Sequence, residues 1–166
     1  MKPYLRVLTK SIGGAAILAF AACIFCGTGF SQTRQEHVHH NAHMVMPFDI
    51  SKAVHIFKMT ASGGIQRVVA KDPSENDQIS LIRRHLKQEA ENFQRGDFSD
   101  PAKLHGAGMP GLRELQGGAH RISIFYTDVP AGGAIRFETS DIHLITAVHR
   151  WFGAQLSEHG ADAVSE

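Results

Sequence analysis

Histidine is the residue whose use stands out in this chain: eleven occur in 166 residues, all after position 36. Four of them, His37, His39, His40 and His43, crowd into a short tract that also holds Met44 and Met46. Imidazole binds borderline divalent ions such as Cu(II) and Zn(II), and thioether sulfur favours Cu(I). A tract with both kinds of donor therefore points to copper, in either oxidation state, with zinc second. Farther along, His105 is followed by Met109 and Pro110, so nitrogen and sulfur stand four residues apart in a stiff segment. His149 lies among apolar residues spaced for a helix, where leucine would be ordinary. His55 shares a strand face with Phe57 and Met59 by the period of two. His55, His105, Met109 and His149 are thus the candidate ligands of an ordered site. The leader residues are candidates for several weaker ones.

Other chemistries find less support. Asp97, Asp100, His105 and His149 are acid/base groups, but no nucleophile motif accompanies them, which leans away from an enzyme. Both cysteines, Cys23 and Cys26, fall in an N-terminal apolar stretch. Beyond that stretch there is no thiolate ligand, no cysteine nucleophile and no Cys-x-x-Cys-His for covalent haem. Lys2, Arg6 and Lys10 supply three positive charges before any acid, so the formal charge of +1 becomes −2 beyond residue 31. A nucleic-acid binder would want the opposite sign.

Those three cations precede the uncharged run Ile12–Phe25, and small residues follow it. This is the pattern of a signal peptide over residues 1–31, with cleavage after Ser31. Two alternatives stay open. Phe20-Ala21-Ala22-Cys23 is similar to a lipoprotein cleavage box, and Ser11–Phe30 is long enough for an uncleaved anchor. All three place the rest of the chain in the periplasm or outside the cell, with membrane attachment only through the N-terminal segment. Residues 32–46 lack periodicity and are expected to form a flexible leader.

The elements that must position the candidates follow in two similar halves. Val54–Thr60 reads as a strand, Ser62-Gly63-Gly64 as a turn, and Ile65–Lys71 as the return strand. A helix is expected over 76–95. It has Asp72 as cap, Pro73 at its start, the stripe Ile79, Ile82, Leu86, Ala90 and Phe93, and Gly96 as stop. Arg121–Tyr126, a turn at 130–133 and Ala134–Glu138 repeat the hairpin. A second helix is expected over 141–159, capped by Thr139 or Ser140, with Ile142, Ile145, His149, Phe152 and Leu156 inward. Between the halves lies Gly96–Leu112, with four glycines and two prolines, expected to be a loop packed through Phe98, Leu104, Met109 and Leu112. The expected fold is α+β: two ββα units forming one antiparallel sheet, helices on one face, in one domain over 47–163 with a tail at 164–166.

Several segments together resemble a family of small exported bacterial proteins. They are Met46-Pro47-Phe48, His55-x-Phe57, Gly63-Gly64-Ile65-Gln66-Arg67-Val68-Val69 and Gly96-Asp97-Phe98-Ser99-Asp100-Pro101. Leu104-His105-Gly106, Met109-Pro110-Gly111-Leu112 and the run from His149 to Gly160 complete the set. The resemblance spans roughly residues 46 to 163 and implies a His- and Met-rich leader. Some such proteins carry the name aspartate carbamoyltransferase. That enzyme's Ser-Thr-Arg-Thr and His-Pro-x-Gln segments are absent from this sequence. Three function classes follow: an exported copper-binding protein, an envelope module that binds another protein, and a small hydrolase-like or other enzyme using Asp and His. The first has the most residues behind it.

Overall fold

The computed structural model describes residues 28–166, so most of the expected signal peptide, up to residue 27, lies outside the described residues. The fold is α+β. Helix α1 (Thr28–Val45) leads into strand β1 (Ala53–Thr60), which turns into β2 (Gly63–Ala70). Helix α2 (Asn76–Gln94) and the short helices α3 (Ser99–His105) and α4 (Leu112–Gly118) come next. Strands β3 (Ser123–Val129) and β4 (Gly132–Glu138), helix α5 (Ile142–His159) and strand β5 (Ala163–Ser165) complete the chain. The sheet order is β3-β4-β2-β1-β5. Its first four strands are antiparallel, and β5 runs parallel to β1 with His55 opposite Ala163. Among the described residues no helix is long and apolar enough to cross a membrane.

Alternation sorts each strand. Ala53, His55 and Phe57 of β1, Gln66, Val68 and Ala70 of β2, Ile135 and Phe137 of β4, and Ile124 of β3 are buried. Helices α2 and α5 cover that face. They are exchanged between the two halves: α2 packs mainly on β3 and β4, and α5 on β1 and β2. Glycine permits the close approach. A Cβ on Gly64 would lie 2.4 Å from Cε2 of Phe152 on α5, and one on Gly133 would lie 3.2 Å from Cδ1 of Leu86 on α2. Each helix thus rests on the glycine pair of the other half.

Several sequence expectations need correction. The Gly-Gly pairs open strands β2 and β4 rather than forming the turns, which fall on Ala61-Ser62 and Pro130-Ala131. α2 begins at Asn76, the expected start, but its cap position is Glu75; Asp72 instead closes a local turn by accepting from the Ser74 N–H. The cap of α5 is Asp141, which accepts from the His143 N–H. The buried face of α5 is rotated from the expected stripe: Leu144, Val148, Trp151, Phe152 and Gln155 are inside, while Ile142 is 66% exposed. Residues 99–105 are helical despite their composition, because Asp97 accepts from the Ser99 N–H and Pro101 sits in the first turn, where its missing N–H costs nothing. Gly106, at φ 92°, ends that helix. Phe98, Leu104, Met109 and Leu112 are all buried, as a packed connection requires. The C-terminal tail is strand β5, with the Glu166 N–H donating to the Phe57 carbonyl at 3.0 Å.

The leader, expected to be flexible, is the helix α1. Val38 and Ala42 fall four residues apart and are buried with Ile50 and Leu104, with Val45 packed against them. Residue-by-residue polarity hid that narrow stripe.

Gly64→Ala is expected to lower stability by about 1–3 kcal/mol, since Phe152 must move to admit a methyl group. Gly117→Ala, at an open helical position, is expected to be neutral or to gain up to about 1 kcal/mol. Urea unfolding of both variants checks the pair.

Candidate functional site

Five elements bring polar side chains to one interior place. Strand alternation turns His55 of β1 and Gln66 of β2 inward beneath the helices. On α2, His85 and Glu89 are one turn apart, and on α5 so are Trp151 and Gln155. Helix α3 contributes Asp100 and His105, and Met46 and Phe48 follow α1. These side chains line a cavity of about 40 Å³, large enough for about three waters. Its remaining wall is mostly apolar.

The lining is short of partners. His55 Nδ1, Gln66 Oε1, His105 Nε2, Trp151 Nε1 and Gln155 Nε2 are all buried without a protein hydrogen bond. One such orphan in a core is unusual, because burying an unpaired polar group costs roughly 1–3 kcal/mol. Five around one cavity mark a place built to hold something polar. Behind it lies His159, fully buried, with neither ring nitrogen paired. Its ring centroid is 4.5 Å from that of His55 and 5.0 Å from that of His105.

The opposite ring nitrogen of His105 is held. His105 Nδ1 donates to Glu158 at 2.8 Å, and the backbone of Asp162 lies where it favours the protonated His55 ring, against the larger effect of burial. Glu158 also accepts from Arg34 of α1 at 2.8 Å. Asp162 accepts from His39 of α1 at 2.7 Å and from Lys71 at 2.9 Å. Burial pushes the carboxyls of Glu158 and Asp162 up, but these donors outweigh it and hold both below the usual range. The imidazoles shift through burial first and neighbouring imidazoles second. His55 is pushed down to about 4, and His159 lies well below its ordinary value. Burial also takes His85 down to about 4, and burial with nearby Asp100 raises Glu89 to about 7. His55, His85 and His159 are therefore uncharged at neutral pH.

Of the residues proposed from sequence, the structure brings His55, His105 and Met46 to the cavity. It does not bring Met109 or His149. Met109 packs in the main apolar core. His149 lies on the edge of α5, where Nε2 reaches the carbonyls of Thr60 and Gly63 at 3.0 and 2.9 Å, as a structural histidine does. The leader donors separate around α1: His39 turns inward to Asp162, while His37, His40, His43 and Met44 are exposed. Asp97 is engaged in its turn with Ser99, so the four acid/base candidates do not gather. Sequence reasoning passed over His159, Glu158, Asp162, Gln66 and Gln155 as site residues. The one signal for them is that polar residues recur on the Trp151 side of α5. Among the described residues, no group of three or more His, Cys, Asp and Glu side chains is arranged to hold a metal ion. Comparison with family models, curated proteins and solved structures gives no match.

Acid should loosen this structure. The unfolded chain's histidines protonate near 6.5, while His55, His85 and His159 refuse the proton until much lower pH, so their burial costs stability as pH falls from about 6.5 to about 4. Glu89 acts oppositely: folded, it keeps its proton up to about 7, so its burial costs stability as pH rises from 4.5. Three imidazoles against one carboxyl leave a net loss on acidification, up to about 3 kcal/mol per pH unit between 6.5 and 4.5. Urea midpoints at pH 7, 6 and 5 measure it. A flat or rising midpoint on acidification contradicts burial of uncharged rings.

Proposed function

We propose that this chain is an exported copper-binding protein whose ordered site is the interior cavity. The observation that carries the reading is the pairing of His55 and His105: each has an unpaired ring nitrogen, His105 is held through its other nitrogen by Glu158, and both line the cavity that Met46 also lines. Metal-bound imidazoles are held this way, with the second nitrogen donated to a carbonyl or carboxylate that fixes tautomer and ring orientation. Two imidazoles and a thioether make a set suited to Cu(I), which accepts sulfur where Zn(II) prefers nitrogen, oxygen or thiolate. His159, stacked on His55 at 4.5 Å between ring centroids, backs the site with both nitrogens unpaired. Site residues Met109 and His149 leave the proposal, and the leader histidines remain as weak outer sites. Export through residues 1–31 stays part of it.

A second reading, an envelope module that binds another protein, draws on the far face of the sheet, where Phe125 is 53% and Val164 47% exposed.

The test is a Cu(I) competition titration against a coloured chelator, using the full chain carrying Cys23→Ser and Cys26→Ser so that no thiolate competes. One tight equivalent is expected. His55→Ala and His105→Ala should remove it. Glu158→Gln, which weakens both the contact that orients His105 and the pairing with Arg34 of α1, should weaken it about 10–100-fold. Met109→Leu and His149→Gln should leave affinity unchanged. If that chain competes no better than its His55→Ala variant, the interior is not a copper site and the second reading takes its place.

A further inference from the structure

The interior cavity has an outer neighbour. An open pocket of about 420 Å³ lies where α1 ends, lined by His43, Met44 and Met46 on one side and by His85 and Asp100 on the other. The two spaces share a wall that includes Met46, His85, Glu89 and Asp100. Donors therefore run in sequence from water to core. His43 and Met44, the latter 66% exposed, stand outside. Met46 and His85 stand on the wall, and His55 and His105 stand within. The ring of Phe48 fills the gap between wall and interior, edge-on to His85 at 5.6 Å and 6.3 Å from His55.

An ion stripped of water does not cross such a wall unaccompanied, because leaving it uncoordinated in an apolar medium is prohibitive. It moves only if a new donor engages before the previous one releases. Resting on the copper reading of the interior, the geometry points to a second metal site: His43 and Met44 capture Cu(I) at the outer pocket, and His85 is the transfer ligand that passes it inward. His85 is suited to this task by its place, since it borders both spaces. No oxidation or reduction is involved; one set of neutral donors replaces another around the same Cu(I).

A transfer ligand changes rates and leaves the equilibrium alone, which separates it from a ligand of the inner site. Stopped-flow transfer of Cu(I) from a coloured chelator to the same full chain gives the loading rate, release to excess chelator gives the return rate, and their equilibrium gives Kd. His85→Leu keeps the apolar contact with Phe48, and His85→Gln keeps a polar one. Both should slow loading and release by at least about tenfold while Kd stays within about twofold. Met44→Leu combined with His43→Ala should slow loading in the same sense. Unchanged rates overturn the route. A Kd weakened about tenfold or more also overturns it, since His85 is then an inner ligand. Two folded variants at this position, checked by urea midpoint, keep a misfolded protein from standing in for either result. Failure of the interior reading looks different: the parent chain then takes up no tight Cu(I) at all, before any His85 variant is compared.

Discussion

The last turn of α5 and the one-turn helix after it bury a carboxylate, an imidazole and a second carboxylate within five residues, Glu158, His159 and Asp162. The rest of the molecule depends on meeting the cost of that burial. A carboxylate moved out of water without partners loses several kcal/mol even after relaxation. Here the partners come from everywhere: Arg34 and His39 from α1, His105 from α3, and Lys71 just after β2. Charge-assisted hydrogen bonds of about 2.7–2.9 Å give each carboxylate at least two donors. Gly160, with φ at 56°, lets the chain leave α5 sharply enough to place Asp162 beside Glu158's neighbours and then to add β5 to the sheet edge. Remove the carboxylates, and α1 keeps only a narrow apolar strip of Val38, Ala42 and Val45 to hold it down.

The same carboxylates serve the cavity. Glu158 fixes the His105 ring by taking the hydrogen on Nδ1, and Asp162, whose backbone favours the protonated His55 ring, holds α1 with its side chain. Docking of the leader helix and orientation of the His105 ring are therefore parts of one network, in which each bond in a low dielectric strengthens the next. That coupling explains why the leader packs at all. Its helix is polar nearly all round, and a helix of that kind has little to gain from apolar burial alone.

What the sequence made legible was whatever repeats locally. The α2 stripe from Ile79 to Phe93 and the two hairpins are short-range patterns, and they appear in the structure nearly where the pattern places them. The Gly-Gly pairs were read as turns because glycine serves turns and close contacts equally well. Only the crossing of helices between halves, a long-range fact, shows that Phe152 and Leu86 need those gaps. The site was half legible for the same reason. His55 and His105 stood out as chemically unusual, yet fifty residues of chain separate them, and no spacing rule says that β1 and the end of α3 meet. His149 looked sharper than either because the apolar stripe of α5 was centred one position too far round. With Trp151 at the true centre of that face, His149 moves to the margin and Gln155 moves inside.

That rotation also changes what the chain offers a ligand. Donors on an exposed helix, such as His37, His40 and His43, must be gathered by the ion, and the ordering of each side chain is subtracted from the binding free energy. Donors in the interior have already lost that freedom during folding. Their unpaired nitrogens are a standing cost in the empty protein, and an ion that satisfies them recovers it. Of the five atoms without a protein partner around the 40 Å³, His55 Nδ1, His105 Nε2 and Gln66 Oε1 can present lone pairs, whereas Trp151 Nε1 and Gln155 Nε2 are N–H donors that call for an acceptor. The packed aromatic core beside the cavity is what makes the concession tolerable: Phe93, Phe98, Phe137 and Phe152 surround Trp151 edge-on or tilted, and burial of these rings offsets the unmet hydrogen bonds next to them.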